Sequence, residues 1–270
     1  MPNVSLLFHD LYVRDPGESG FRSPAADRYK LTVAEFDAQL CGVLEARVDA
    51  PLLAPRLGAC GESTLPFAVT VDDGGVSFYT LMADRLERLN WRGHCFVTTD
   101  WIGRPGFLTA SQIRELDARG HVMGSHSASH PTRFSVQTPD AMRREWTRSR
   151  EVLEDTLGHA VTVASVPGGY FSAAVAQSAA ESGIRFLFTS EPTTRMHTDG
   201  DCVVAGRFTI RARCRPDMSK RVVSLDPSAR LGAWASWNAK KLVKPLFGST
   251  YGRVADWLLV RKAVHQQGAQ

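Results

Sequence analysis

The chain has 270 residues, 43% of them hydrophobic and 22% charged, with a formal net charge of +4. That length can bury a sizeable core, as one large domain or as one domain with an extension. No run of about 18 uncharged apolar residues occurs, which argues against a membrane-spanning helix. Five cysteines without CxxC spacing argue against a disulfide framework or a zinc–thiolate site, and read as free thiols.

Val4 to Phe8 predicts a first strand. Met1 to Asp10 has no basic region and too short an apolar run for a secretory signal, so a cytoplasmic location is expected. Thr32 with Glu35 forms a capping box that opens a helix running to about Ala46. Phe67 to Val71 predicts the next strand, followed by a helix from about Ser77 to Leu89. His94 to Thr98 predicts a strand. Thr109 with Gln112 caps another helix, which Gly120 ends. His121 to Gly124 predicts a short strand. Pro139 opens a long helix to about Leu157, ended by Gly158. Then follow a strand at Val161 to Val166, a helix at Ser172 to Ser182, a strand at Phe186 to Phe188 and a last strand at Val203 to Ile210. Residues 14–30 and 190–202 read as loops. Alternating β and α units imply a parallel sheet or a barrel.

Residues 226–270 differ in character from 1–225. Asp226 caps a helix with Pro227 at its first position. Leu231, Trp234, Leu242 and Val243 supply apolar surface, and Pro245 and Gly248 are expected to break the helix. A second helical run is expected from Tyr251 to Val264. From Arg207 onward there are 13 basic and 3 acidic residues, a balance of +10, whereas the preceding chain is at −6. A basic tail on an acidic body suits an anionic partner.

Two short stretches carry the chemistry. Thr70-Val71-Asp72-Asp73-Gly74 and His126-Ser127-Ala128-Ser129-His130-Pro131 each follow a strand-like run. In a β/α series, such positions lie at the C-terminal mouth of the sheet. One carboxylate and two imidazoles can hold a divalent ion with positions left open for hydrolysis. The adjacent carboxylate then stays free to accept a proton. Alone, Asp-Asp-Gly is an ordinary turn and His-x-x-x-His an ordinary surface pair; together, after strands, they mark a metal site.

These stretches resemble the motifs of the polysaccharide deacetylases that share the NodB homology domain, carbohydrate esterase family 4. The first is similar to Thr-Phe-Asp-Asp-Gly, with Val71 in place of Phe. The second is similar to His-Ser/Thr-x-x-His-Pro. The likeness spans roughly residues 4 to 211. It implies a distorted (β/α)7-type barrel, and a helical extension would follow it. It implies Asp73, His126 and His130 as ligands of one divalent metal ion, with zinc the first choice, and Asp72 as general base. The family's Arg-x-Pro-x-Gly motif is similar to Ser165-Val166-Pro167-Gly168-Gly169-Tyr170, where Pro167, Gly168, Gly169 and Tyr170 are expected to touch substrate. Its Arg, which orients the base, is replaced here by Ser165. Arg207 or Arg211 is the expected substitute. The family's late Leu-x-His motif is also missing. Leu7-Phe8-His9-Asp10 is similar to the end of strand one in a subgroup acting on poly-N-acetylglucosamine, and makes His9 the candidate acid.

Trp101, Tyr170 and Phe171 are candidates for stacking on a sugar face. His94, His121, His159 and His197 read as structural or solvated. The resulting expectation is a metal-dependent N-deacetylase acting on an acetamido sugar in a glycan or lipid-linked precursor. De-O-acetylation, hydrolysis of another small amide, and a catalytically weak glycan- or membrane-binding protein are the alternatives. The second carboxylate, Asp72, favours catalysis. Trp234, Trp237 and Trp257 with the basic residues of the tail suit attachment to an anionic inner membrane face. No nucleic-acid partner is expected.

Overall fold

The computed structural model describes residues 2–47, 49–54, 56–58 and 65–247, with side chains to residue 239. The expected helix from Tyr251 to Val264, Cys60, and the side chains of Lys240, Lys241 and Lys244 lie outside the described residues.

The strands are β1 (Val4–Phe8), β2 (Leu11–Tyr12), β3 (Leu31–Thr32), β4 (Phe67–Val71), β5 (His94–Val97), β6 (Val122–Ser125), β7 (Val163–Ser165), β8 (Phe186–Phe188), β9 (Met196–Asp199), β10 (Cys202–Ala205) and β11 (Phe208–Thr209). The helices are α1 (Pro24–Asp27), α2 (Val33–Ala46), α3 (Ala83–Arg88), α4 (Ala110–Ala118), α5 (Pro139–Leu157), α6 (Ala173–Glu181), α7 (Met218–Val223) and α8 (Pro227–Phe247). Nine strands form one curled sheet in the order β11-β1-β4-β5-β6-β7-β8-β10-β9, parallel except for β9. β2 and β3 make a separate two-stranded ribbon. This is the NodB-like barrel architecture that the motifs imply.

The strands read as continuous apolar runs because both faces are covered. Leu6, Val69 and Cys95 pack outward with Phe36, Leu40 and Leu86 of α2 and α3. Ala68, Phe96, Phe188 and Ala205 fill the interior. Side chains alternate along a strand, so His9, Asp72, His126, Ser165 and Arg207 continue the inward-facing sets.

The expected single strand from Val203 to Ile210 is two strands. β10 pairs with β8 and β11 pairs with β1, at opposite ends of the sheet order. Gly206 and Arg207 make the step between them. A Cβ on Gly206 would lie 2.4 Å from the Glu191 carbonyl oxygen, so only glycine fits this bend. The segment closes the curled sheet, and a bridge from Pro2 to Arg195 closes it further at the other end. The supposed loop at 190–202 contains β9, paired antiparallel with β10.

The helix expected from Ser77 begins with a π-helical turn at Phe78–Met82 before α3. α8 runs through Pro245 to Phe247. It packs on the body through Ala229 and Ala233, while Leu231 and Trp234 are 65% and 59% exposed. No helix among the described residues is long and apolar enough to cross a membrane.

Candidate metal centre and base

β4 ends at Val71, and the chain turns sharply through Asp73 (φ 79°) and Gly74 (φ 78°). Strand alternation would aim Asp73 outward; its left-handed backbone turns it back into the mouth. Ser127 (φ 62°) and His130 (φ 57°) are left-handed as well. Such conformations cost about 1–3 kcal/mol each and persist where the surroundings hold them. The surroundings do so here. Ser127 N–H donates to Ser125 Oγ, which donates to Ser149 Oγ of α5. Ser129 donates from N and Oγ to the Glu145 carboxylate at 2.8 Å each.

Asp73, His126 and His130 each present one ligand atom, all within 4.8 Å of one another. Asp73 Oδ1 lies 3.4 Å from His126 Nε2 and 3.6 Å from His130 Nε2. Tetrahedral coordination at about 2.0–2.1 Å places ligand atoms about 3.3–3.4 Å apart, so the spacing fits a divalent ion. The tautomer fits too. His126 Nδ1 sits 3.0 Å from the Ser165 carbonyl oxygen and 2.6 Å from Ser165 Oγ. Nδ1–H is thereby committed, and the Nε2 lone pair faces the site.

Asp72 is 2% exposed and receives Arg207 as a two-pronged donor, Nη1 to Oδ1 and Nη2 to Oδ2, both at 2.7 Å. Arg207 is itself fully buried. Its Nε donates to the Thr189 carbonyl at 2.9 Å, and its guanidinium lies over the Phe96 and Phe188 rings. Ser165 Oγ donates to Asp72 Oδ1 at 2.9 Å. Oδ1 therefore holds two donors. Oδ2, which faces His126 Nε2 at 3.9 Å, holds one and keeps a lone pair free.

The electrostatics follow. Burial works to raise the Asp72 carboxyl, but the charges of Arg207 and His126 outweigh it and hold it below the usual range. Burial also opposes ionisation of Asp73, and its bond to His126 and the neighbouring imidazoles push it well down. Burial lowers His130 against the pull of Asp73. For His126, burial is outweighed by the two aspartates, and its pKa is raised.

Of the two arginines expected to replace the missing motif residue, Arg207 meets Asp72 and Arg211 does not. Arg211 Nη2 donates to Ser236 Oγ of α8 at 3.1 Å. It lies beyond β11, past the step that carries Arg207 inward. His9 is half-buried and follows β1 directly opposite Asp72, whose N–H donates to the Phe8 carbonyl. Its Nδ1 is buried without a hydrogen-bond partner. Burial lowers its pKa, against the pull of Asp73 and Asp72.

Pro167, Gly168 and Gly169 form a tight turn in which both glycines have positive φ. A Cβ on Gly169 would meet Ser190 Oγ at 2.1 Å. Tyr170 stacks on Trp237 of α8 with ring centroids 4.9 Å apart. Trp101 joins Phe21 and Phe107 in an aromatic cluster, and Phe21 lies 5.0 Å from the His130 ring. Phe171 packs on the α5–α6 core and meets His197 edge-on, so it is not a rim residue. His94 is buried and accepts from the Ala54 N–H. His121 pairs with Glu87, and His159 with Asp117.

Sequence reading gave no sign of two participants. Ser165 was visible only as an absent arginine, yet it links Asp72 to His126. Asp10 is buried beneath the Asp72–Gly75 turn, accepting from Ser19 Oγ at 2.5 Å and Ser77 Oγ at 2.8 Å. A Cβ on Gly20 or Gly75 would lie 1.8 Å from its carboxylate oxygens. No local signature marks such a residue.

Residues 63–187 match the family model described as polysaccharide deacetylase. The chain is 24% identical over 151 residues to YxkH of Bacillus subtilis (strain 168), whose name assigns it provisionally to the polysaccharide deacetylases. That match covers 56% of this chain, which spans about half (52%) of YxkH. Among solved structures, the Streptococcus pyogenes deacetylase PplD in complex with acetate superposes with a TM-score of 0.65 at 20% identity, over 83% of this chain and 96% of that one. IcaB from Ammonifex degensii gives 0.64 at 20% identity, over 85% and 97%. At these identities the two structures establish the fold, and the likeness to the family rests on the matched segment and its two motifs. Residues 63–187 resemble the polysaccharide deacetylase family in sequence, and the chain shares the NodB-like barrel fold of the solved deacetylase structures.

Proposed function

We propose that the protein is a metal-dependent hydrolase that removes N-acetyl groups from acetamido sugars of a glycan. The observation that carries this reading is Asp72, a buried carboxylate fixed by Arg207 and Ser165, standing next to the Asp73–His126–His130 triad. A protein that only bound glycan would have no use for a second, ionised carboxylate held at such cost.

Asp73, His126 and His130 would hold the ion. Bound there, a divalent metal polarises an amide carbonyl and makes water at the site more acidic. Asp72 accepts the proton of the attacking water through the free lone pair of Oδ2. Arg207 keeps that carboxylate ionised and fixes its plane. His9, beside Asp72 at the end of the neighbouring strand, offers an imidazole to protonate the leaving amine. The left-handed turns at Asp73 and His130 set the ligands before substrate arrives, so little reorganisation remains.

Mass-spectrometric detection of acetate release from a panel of N-acetylated and O-acetylated glycans, with and without chelator, tests the reading. N-Acetyl substrates should release acetate only without chelator. Asp72→Asn should retain metal and lose about 10²–10⁴-fold in rate, the usual contribution of a general base. Turnover of that variant at the parent rate would give Asp72 another role, and acetate from O-acetyl substrates alone would move the reaction to ester hydrolysis.

A further inference from the structure

Asp10 is a buried carboxylate that the proposed reaction does not use, and it joins two segments that each lead to a candidate metal ligand. The first is the turn after β4. Its entry is held to β1 by the Asp72 N–H, which donates to the Phe8 carbonyl at 3.1 Å. Its exit is held to the same strand end, two residues further on, by Asp10. Ser77 Oγ donates to Asp10 Oδ1 at 2.8 Å and accepts from the Leu11 N–H at 2.9 Å. Between these two clamps lie the left-handed residues Asp73 and Gly74. A Cβ on Gly75 would lie 1.8 Å from Asp10 Oδ1, so the carboxylate sits directly against the backbone there, two residues from Asp73.

The second segment is the chain between β2 and β3. Ser19 Oγ donates to the same Asp10 oxygen at 2.5 Å and accepts from the Ser77 N–H at 2.9 Å. Asp10, Ser19 and Ser77 thus form a closed triangle, all three buried. Asp10 Oδ2 presses on Gly20 as closely as Oδ1 presses on Gly75. The Gly106 carbonyl accepts from the Gly20 and Val76 N–H groups at 2.8 and 2.9 Å, and so ties the two segments together a second time. Phe21 follows at once, with its ring 5.0 Å from that of His130. Buried Lys30 secures it by donating from Nζ to the Pro16 and Phe21 carbonyls at 2.6 and 2.7 Å.

We propose that Asp10 is a positioning residue for the metal ligands: through Ser77 it sets the backbone that aims Asp73, and through Ser19 it seats Phe21 against the His130 imidazole. The proposal rests on the metal-dependent reading of the Asp73–His126–His130 triad. Coordination at about 2.0–2.1 Å tolerates little displacement of a ligand atom. Groups outside the ligand shell that hold the ligands in place are typically worth about 10–100-fold in metal affinity or activity. Because one carboxylate oxygen receives both hydroxyls, removing Asp10 releases the Asp73 turn and the Phe21 segment together.

The test is the zinc affinity of the full-length protein, measured by competition with a chromophoric chelator, beside urea unfolding of the metal-free form. The parent should bind zinc, and His126→Ala should bind it far more weakly. Asp10→Ala should weaken zinc binding about 10–100-fold. Ser77→Ala and Ser19→Ala should each weaken it by less, and neither should add much to Asp10→Ala, since both act through that carboxylate. Asp10→Asn keeps an acceptor oxygen for the two hydroxyls and should restore most of the loss. Should Asp10→Ala fail to fold, the two serine variants decide the question. At saturating zinc, acetate release by these variants should lose kcat and keep KM, because the triangle holds the ligands and not the substrate. Zinc affinity equal to the parent's in Asp10→Ala, or in both serine variants, with only the unfolding midpoint lowered, would overturn the positioning role and leave the triad standing. Absence of zinc binding in the parent would overturn the triad and the proposal with it. The expected affinity differences without any acetate release would support the positioning role and contradict the deacetylase reading.

Discussion

Replacing Arg207 by Met keeps much of the side-chain volume between Phe96 and Phe188 and removes the charge. It deletes both 2.7 Å bonds to Asp72 and the bond to the Thr189 carbonyl. Asp72, 2% exposed, keeps Ser165 as its remaining side-chain donor. Two charge-assisted bonds at about 1.5–3 kcal/mol each give about 3–6 kcal/mol. Breaking a buried ion pair by removing one partner typically costs about 3–5 kcal/mol, in agreement. The cost should depend on pH, with a definite sign. In the parent, the Asp72 pKa is depressed on folding, so its contribution is present above the unfolded value and is lost as pH falls through the folded one. In the variant, burial, the largest influence on this carboxyl, is no longer opposed by Arg207, and the pKa rises. Folding then opposes ionisation, and the variant loses stability as pH climbs above about 4, the unfolded carboxylate value. Urea unfolding of metal-free parent and Arg207→Met from pH 4 to 8 should show a gap that widens to several kcal/mol at neutrality. Arg207→Lys, a point charge unable to grip both oxygens, should recover part of it. A gap below about 1 kcal/mol that does not change with pH would refute the reasoning, since it would mean that Asp72 does not depend on Arg207 for its ionised state.

His126→Ala should lower the bound divalent metal measured by elemental analysis, because it removes one of three ligands; equal content in parent and variant would dismiss the triad. Asp10, pushed up to about 6 by burial and only partly relieved by its bond to Ser19, makes the opposite contribution to that of Asp72. Its folded value lies above the unfolded one, so stability falls as pH rises between about 4 and 6, by about 3 kcal/mol in all. Asp10→Asn should therefore gain on the parent by about that amount between pH 4 and pH 7 in urea unfolding, and a constant difference would contradict it. We also propose that the extension attaches to anionic membrane. Residues 226–270 carry seven basic and two acidic groups, and each Lys or Arg near such a surface contributes about 1 kcal/mol. At low salt the protein should sediment with anionic vesicles and not with neutral ones, and Leu231→Ala with Trp234→Ala should weaken the effect. Equal partitioning onto both would assign the tail a purely structural role.

The candidate metal ligands were legible because their information is local. Asp72-Asp73-Gly74 and His126 to His130 are short runs just beyond apolar strands, and a parallel sheet brings every such end to one mouth. Strand, helix and cap positions were legible for the same reason, since Thr32, Thr109 and Gly158 act on residues within one turn. The capping boxes of Thr32 and Thr109 form as read, and Gly158 ends α5 in the left-handed conformation.

What the sequence alone determined, then, was the β/α alternation and which residues arrive at the mouth. It could not choose between Arg207 and Arg211, which are four residues apart on one basic stretch. The choice was made by Gly206, where contact with Glu191 and Thr193 admits no side chain and the last strand steps from β8 to β1. That step sends Arg207 inward to a carboxylate 135 residues away and leaves Arg211 outside, against α8. Tertiary structure likewise decided the contacts of Ser165, the burial of Asp10 beneath the Asp72–Gly75 turn, and the arrival of Trp237 at Tyr170. Each is a pairing between segments distant in the chain. Propensity and periodicity act over a few residues, whereas these pairings depend on strand register and on how the sheet closes.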